Sequence, residues 1–192
     1  MIVGLTGGIA SGKTMVARIF EMLGAAVFYS DKEAREAYSD TAVREKVIAV
    51  LGNGAYSGGN INRAYISEKI FGDKNLMEAI NGIIHPAVGR KFEKFSEINK
   101  SRTIIKESAL LFEAGIASRC DRIVVVSAPD ELRTRRIMER DQASAQEAAQ
   151  KISSQLPQEY KVKNAHYIIY NDEKHLVIPQ VLNIFNQITK LS

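Results

Sequence analysis

A glycine-rich loop, placed between an apolar run and a helix-period stretch, restricts the possible folds of this chain most strongly. Residues 2–5 are apolar and predict a buried strand, and residues 15–23 have the apolar spacing of a helix. Between them, residues 7–14 match the Gly-x-x-x-x-Gly-Lys-Thr spacing of a phosphate-binding loop. A plain glycine-rich turn with a surface lysine would not need a strand and a helix on its two sides. We therefore predict a nucleotide-binding loop.

The loop assigns individual roles to its residues. Its glycines allow consecutive N–H groups to point into one anion site, and the following helix directs its positive end to the same place. Lys13 is expected to reach the β- and γ-phosphates of ATP, and the Thr14 hydroxyl to hold Mg²⁺. The residues expected to bind ATP through this loop are Gly8, Ile9, Ala10, Ser11, Gly12, Lys13, Thr14 and Met15.

Strand and helix patterns alternate along most of the chain. Further strands are predicted at residues 25–29, 103–107, 122–127 and 166–170, and helices at 32–50, 63–71, 75–84, 86–98, 129–140 and 173–191. Pro86 suits the first turn of its helix. The glycine- and asparagine-rich stretch 51–62 predicts a surface loop or hairpin. The alternation predicts an α/β fold, a P-loop NTPase-type doubly wound parallel sheet flanked by helices.

Two parts of the chain interrupt the alternation. The region of about 32–101 is mostly helical and predicts an insertion, and the region of about 131–163 is polar and predicts a lid that includes a mobile helical pair. The remaining residues, about 1–31, 102–130 and 164–192, are predicted to form the core. We read the whole as one domain, since no linker or internal repeat separates the parts.

Asp31 is the first acidic residue that follows a predicted strand. Ser30 and Glu33 have the spacing of a capping box, which places Asp31 in the first turn of a helix. In open parallel sheets, ligands bind at the carboxyl ends of the strands. A small-molecule kinase needs a carboxylate there to orient the acceptor hydroxyl and take its proton. A plain helix-dipole acid is the alternative, and the two roles are compatible.

Arginines form a stripe on the helix predicted after residue 129. Arg133, Arg136 and Arg140 share one face, because they are three and seven positions apart. Such a stripe can close over a nucleotide and stabilise the transferring phosphoryl group. It can equally be a solvated face near a helix C-terminus, where arginines are favourable in any case.

Composition limits the remaining function classes. The net charge of +4 is modest and no stripe of basic and aromatic residues is present, so a nucleic-acid partner is disfavoured. The single cysteine, Cys120, excludes an internal disulfide and fits a reducing compartment. No apolar run has the length of a membrane span, and no secretion signal is recognisable. We expect a cytoplasmic enzyme with no membrane association and no obligate protein partner.

Several motifs, taken in order, resemble the dephospho-CoA kinase family. Residues 5–14 read LTGGIASGKT, where the family usually has LTGGIGSGKS. Asp31 with Ala34-Arg35 matches the end of a DAD-x-x-AR segment. Further matches are Asn62-Arg63, Ile70-Phe71, His85-Pro86, Leu110-Leu111-Phe112-Glu113, the segment 136–141, Gln155 and Asn171. The resemblance covers nearly the whole chain, and the ordered set is more specific than any single motif.

The resemblance implies ATP-dependent phosphorylation of the ribose 3′-hydroxyl of dephospho-CoA, the last step of coenzyme A biosynthesis. It implies an acceptor-binding role for the helical insertion, with ATP and dephospho-CoA as the two ligands and Mg²⁺ as cofactor. The implied catalytic residues are Asp31, Lys13 and Arg140, and Arg136 and Asn171 would bind ATP. The implied acceptor contacts are Thr6, Asp31, Arg63, His85, Leu111 and Glu113.

The chain departs from the family pattern at several positions. Ala10 stands where glycine is usual, and Tyr29 replaces the first aspartate of the DAD segment. Ala109 replaces the proline before LLFE, and His166 replaces the aspartate before the last strand. Another P-loop nucleoside, nucleotide or small-molecule kinase is the nearest alternative. A nucleotide-dependent switch is less compatible with Asp31 and the arginines.

Overall fold

The central sheet is built from apolar, largely β-branched segments that bury both of their faces. The computed structural model describes residues 1–191. Its parallel strands, numbered along the chain, are β1 (Ile2–Gly7), β2 (Ala26–Tyr29), β5 (Ile104–Glu107), β6 (Arg122–Ser127) and β7 (Tyr167–Tyr170). Their order in the sheet is β2-β5-β1-β6-β7. The predicted parallel sheet is therefore confirmed, with the loop-bearing strand β1 at its centre.

Helices connect the strands. They are α1 (Lys13–Met22), α2 (Ser30–Ala37), α3 (Thr41–Leu51), α4 (Arg63–Ile70), α5 (Lys74–Ile98), α6 (Asp130–Asp141), α7 (Ala145–Ser153), α8 (Gln158–Lys163) and α9 (Val177–Thr189). A short antiparallel hairpin, β3 (Tyr56–Ser57) with β4 (Asn60–Ile61), occupies the stretch expected to be a loop or hairpin. Within residues 1–191, no helix combines the length and the apolar character needed to cross a membrane.

The chain divides into two compact units. The sheet unit contains residues 1–29 and the chain from residue 99 onward, and the helical unit contains residues 30–98. In the sheet unit, α1 packs on β1, β2 and β5, and α9 packs on β7 and on α1, with Leu5, Phe20, Ile105, Val124 and Ile184 in the core. The helical unit has a separate core that includes Val43, Val47, Leu51, Ile80 and Ile84. Each unit thus has its own hydrophobic centre.

The helix predicted at residues 32–50 is wrong as a single element. The structure has α2 and α3 instead, because the Asp40 side chain accepts the N–H groups of Ala42 and Val43 at 2.9 and 3.1 Å and starts a new helix. The capping box predicted at Ser30 and Glu33 is also wrong. Ser30 lies inside α2 with no partner for its buried hydroxyl, and Glu33 binds Lys91 at 2.8 Å.

The two helices predicted on either side of Pro86 are a single helix, α5. The buried residues Ile80, Ile84 and Ala87 form one apolar stripe that continues past the proline. Pro86 itself is exposed, and so is Gly82, the residue whose carbonyl loses its hydrogen bond. Solvent can satisfy that carbonyl, so burial of the stripe outweighs the missing bond.

Candidate active site

The phosphate-binding loop connects β1 directly to α1 and has an unusual backbone. Gly12 has φ 98°, and a Cβ at this residue would lie 2.2 Å from the Asn171 side chain. Only glycine fits there, on grounds of both conformation and space. Ala10 has φ 60° although it carries a side chain. The left-handed conformation is thus retained where the family usually has glycine.

Side chains from distant parts of the sheet unit bind the loop backbone. Asn171 donates to the Ser11 carbonyl at 2.7 Å, and Arg136 donates to the Ala10 carbonyl at 3.4 Å. Two further contacts involve Ile9, whose carbonyl accepts from Arg133 Nε at 3.0 Å and whose N–H donates to Gln155 Oε1 at 2.7 Å. Arg136 and Asn171, both expected to bind ATP, therefore lie next to the loop.

Lys13 is held inside the loop. Its ammonium group donates to the Gly8 carbonyl at 3.1 Å, and the residue is only 8% exposed. The next two residues, Thr14 and Met15, are exposed in the first turn of α1. The Thr14 hydroxyl is thus available to a ligand at the positive end of the helix.

The arginine stripe has two kinds of surroundings. Arg133 is buried, with an exposed fraction of 3%, and forms an ion pair with Asp130 at 2.7 Å in addition to its loop contact. Arg140 is more than half exposed and forms an ion pair with Asp141 at 2.7 Å. Asp141 also binds Lys151 at 2.7 Å, and these two cations hold the pKa of its carboxyl well below the usual range. Arg133 and Arg136 are therefore not part of a solvated face, whereas Arg140 is exposed to solvent.

The segment around residues 109–113 lies beside β1. The Thr6 hydroxyl donates to the Ala109 carbonyl at 3.5 Å. Leu111 is fully buried, and its side chain fills the space next to Gly4. Glu113 accepts from the fully buried Lys161 at 2.8 Å and from the Leu156 N–H at 3.1 Å. The acceptor contacts assigned to Thr6, Leu111 and Glu113 stay predictions.

Three predicted site residues belong to the helical unit. Asp31 is the half-buried second residue of α2, two positions after the end of β2 in the chain. Arg63 is the exposed first residue of α4, which is capped by the Asn62 side chain at 3.1 Å. His85 is exposed on α5. The roles assigned to these three residues stay predictions.

Tyr29 occupies the last position of β2, where the family pattern has an aspartate. Its hydroxyl donates to Glu21 at 3.2 Å. Burial and, second to it, the Glu21 carboxylate raise the pKa of Tyr29 to about 12. The side chain is therefore a neutral donor at physiological pH and does not replace the missing carboxylate.

Sequence reasoning missed the backbone contacts of Arg133, Gln155 and Lys161. Arg133 was noted only as part of a stripe, Gln155 only through the family resemblance, and Lys161 not at all. A long polar side chain inside a segment rich in polar residues gives no local signal of burial. These contacts connect residues more than 50 positions apart, so they depend on the tertiary fold.

Known proteins resemble this chain over most of its length. The dephospho-CoA kinase family model matches residues 1–176. A dephospho-CoA kinase from Bacteroides fragilis is 38% identical over 184 residues, covering 95% of this chain and 90% of the relative. Among solved structures, the protein TT1252 from Thermus thermophilus has a TM-score of 0.89 at 28% identity and covers 100% of this chain and 98% of its own.

A second solved structure is named for the activity. Dephospho-CoA kinase from Campylobacter jejuni has a TM-score of 0.72 at 25% identity, with 98% of this chain and 97% of the other covered. The family model, the curated relative and this structure all extend over most of the chain. The chain belongs to the dephospho-CoA kinase family, whose enzymes use ATP to phosphorylate dephospho-CoA in coenzyme A biosynthesis.

Proposed function

We propose that this chain transfers the γ-phosphoryl group of ATP to the ribose 3′-hydroxyl of dephospho-CoA, with Asp31 as general base. The observation that carries the proposal is the loop, in which the Lys13 ammonium is already held at the Gly8 carbonyl and distant side chains bind the loop backbone. Phosphoryl transfer depends mainly on positioning and on neutralising charge, and a loop fixed in this way supplies both.

Lys13 is suited to bind the β- and γ-phosphates. Its ammonium can exchange the neutral Gly8 carbonyl for a charged phosphate oxygen without leaving the loop. The Gly8 carbonyl keeps a second partner, because it also accepts the Ser11 N–H at 3.1 Å. The exchange therefore leaves no buried carbonyl unsatisfied.

Thr14 fits the role of a magnesium ligand. Mg²⁺ prefers oxygen ligands and in such sites is usually bound by substrate phosphates, waters and one or two protein groups. An exposed hydroxyl in the first turn of α1 meets that requirement. In residues 1–191 no group of three or more His, Cys, Asp or Glu side chains could hold a metal by itself. The ion would neutralise charge on the phosphates.

Asp31 is proposed as the base because a carboxylate directly after a strand end and in the first turn of a helix can accept the acceptor's proton. Arg140 is proposed to stabilise the transferring group from α6, with residues 131–163 as the lid. Thr6, Arg63, His85, Leu111 and Glu113 are proposed for the acceptor, with residues 32–101 as its binding region. Arg136 and Asn171 are proposed for ATP through their positions beside the loop.

A coupled assay of ADP release tests the proposal. The purified chain, with ATP and Mg²⁺ and no other protein, is given dephospho-CoA or one of a set of nucleosides, nucleotides and shikimate. We expect turnover with dephospho-CoA to exceed that with every other acceptor, and mass spectrometry to find the new phosphate on the 3′-oxygen. Faster turnover with a nucleoside would identify another small-molecule kinase, and turnover that needs a protein partner would contradict the proposal that none is required.

The site of action is proposed to be the cytoplasm, which supplies ATP and keeps a lone thiol reduced. Cys120 is a free, partly buried cysteine, and burial raises the pKa of its thiol. A thiol of this kind is poorly reactive and needs no partner.

A further inference from the structure

The backbone of Ile9 is bound on both sides by side chains from far along the chain. Its carbonyl accepts from Arg133 Nε at 3.0 Å, and its N–H donates to Gln155 Oε1 at 2.7 Å. Both side chains come from the region expected to be a lid over the nucleotide. Their partner, however, is the loop backbone, so each is placed to act on the nucleotide through the loop.

Arg133 is fixed in place by its surroundings. The residue is 3% exposed, and Nη1 binds Asp130 at 2.7 Å while Nε binds Ile9. The guanidinium also lies against Gly8, where a Cβ would come within 2.3 Å of Nη2. A planar group bound at two nitrogen atoms has little freedom to turn. Arg133 therefore holds the Ile9 carbonyl in one direction.

A trans peptide group points its carbonyl and its N–H in opposite directions. Because Arg133 binds the Ile9 carbonyl, the N–H of Ala10 in the same peptide group points away from Arg133. Because Gln155 binds the Ile9 N–H, the carbonyl of Gly8 in that peptide group points away from Gln155, and this carbonyl accepts from Lys13 Nζ at 3.1 Å. Arg133 thus orients the peptide group between Ile9 and Ala10, and Gln155 orients the peptide group between Gly8 and Ile9.

We propose that Arg133 and Gln155 are positioning residues for the phosphate loop. Gln155 orients the Gly8 carbonyl that holds Lys13, and Arg133 orients the Ala10 N–H as a phosphate donor. The inference rests on the proposed binding of nucleotide phosphates by this loop. Its consequence is that each residue, acting through the loop backbone, contributes to the affinity for ADP and ATP but little to the affinity for AMP, which lacks the β- and γ-phosphates.

The test uses Arg133→Met and Gln155→Met, which retain side-chain length but remove the hydrogen bonds. The matched controls are Arg135→Met, which changes an exposed arginine of α6, and Gln146→Met, which changes an exposed glutamine of α7. Arg133→Lys is the second variant at the buried position, and it keeps the charge but lacks the planar fork. Calorimetric titration measures binding of AMP, ADP and ATP to each protein.

We expect the two test variants to bind ATP and ADP about 10–100-fold more weakly, the effect of leaving a partly buried backbone group without its partner. Binding of AMP should change little. The fold-loss of affinity in the double variant should be smaller than the product of the two single fold-losses. Once one substitution has freed the loop backbone, the second substitution removes little further order from it. The controls should match the parent protein for all three nucleotides.

Equal losses for AMP and ATP, or parent-like ATP binding in both test variants, would overturn the inference. Equal losses would mean that Arg133 and Gln155 have a general structural role. Parent-like ATP binding would mean that they do not position the phosphate loop. If the parent protein itself binds ATP no more tightly than AMP, the proposed phosphate loop fails instead. Circular dichroism confirms that each variant is folded before it is titrated.

Discussion

Ala10 is the loop residue whose backbone differs most from what its side chain favours. Its φ of 60° lies in the left-handed region, and the residues on either side of it are bound by Arg133 and Asn171. The left-handed conformation costs a residue with a Cβ roughly 1–2 kcal/mol. Contacts from outside the loop therefore maintain a strained residue at the site.

Replacing Ala10 by glycine should stabilise the protein. Removal of the strain should gain roughly 1–2 kcal/mol, and the greater freedom of glycine in the unfolded chain should cost roughly 0.5–1 kcal/mol. We expect Ala10→Gly to raise the free energy of unfolding in urea with little change in kcat, and Ala10→Val to lower it. A less stable glycine variant would mean that Ala10 is not strained.

Asp31→Asn tests the proposed base. The amide keeps the size of the side chain but cannot take a proton, so we expect kcat to fall by about 10²–10⁴-fold. ATP affinity should be nearly unchanged, and the free energy of unfolding should fall by no more than about 1 kcal/mol, the scale of a helix-dipole contact. Kinetics, ATP titration and urea unfolding on one preparation measure the three quantities.

Asp40→Asn is the matched control for this change. Asp40 is also an aspartate of the helical unit and caps α3, and asparagine is an equally good cap. The control should retain both kcat and stability. If Asp31→Asn behaves in the same way, Asp31 is only a helix-end acid and the base lies elsewhere.

At the scale of elements, the sequence predicted the strands better than the helix boundaries. All five strands of the parallel sheet were predicted, because continuous apolar runs are a local signal. The helix break at Asp40 and the unbroken helix at Pro86 were not, because each depends on a competition between local and tertiary terms. At Asp40 the side-chain cap decided the outcome and started a new helix, and at Pro86 the burial of an apolar stripe kept the helix continuous.

Helix α7 is the element on which the lid proposal can be tested. It starts with a capping box between Ser144 and Glu147. The ion pair of Lys151 with Asp141 connects it to α6, and Asp141 also binds Arg140 on α6 itself. If Arg140 turns toward the transferring phosphate, Asp141 keeps Lys151 as its partner. We expect hydrogen-exchange protection of residues 142–154 to rise when ATP and dephospho-CoA are added together.

The same proposal predicts that Arg140→Ala lowers kcat more than it weakens ATP binding, because the contact forms mainly in the transition state. Arg135→Ala is the control, since Arg135 lies on the same helix and binds Glu173 at the surface. If hydrogen exchange is unchanged on adding the ligands and kcat is unchanged in Arg140→Ala, Arg140 is only a solvated arginine of α6.

At the scale of the whole molecule, nucleotide binding should appear as thermal stability. A ligand at 100 times its Kd adds about 2.7 kcal/mol, which for a chain of this size corresponds to a rise in Tm of about 5–10 °C. Lys13→Met should fold, because the Gly8 carbonyl retains the Ser11 N–H, but should lose most of this rise. Scanning calorimetry with and without ATP measures both, and an equal rise in the variant would contradict the role of Lys13.

The candidate site was predictable only where its residues are neighbours in the chain. The spacing of residues 7–14 was sufficient for the phosphate loop, since one turn and one helix start form it. The supports of the loop were not predictable, because Arg133 and Gln155 lie 124 and 146 positions from Ile9. Only the completed sheet brings such residues into contact.

The far end of the segment predicted as a lid is attached to the sheet unit at several points. Gln155 binds Ile9, Gln158 exchanges two hydrogen bonds with Ala128, and the fully buried Lys161 binds Glu113. Any opening must then be a local bend of residues 142–154 between two fixed ends. Because this segment carries α7, its bending is a hinge motion on the order of microseconds to milliseconds, whereas a median enzyme completes about 10 turnovers per second. We therefore expect that the opening of this segment does not limit turnover, and that the chemical step or product release is rate-limiting.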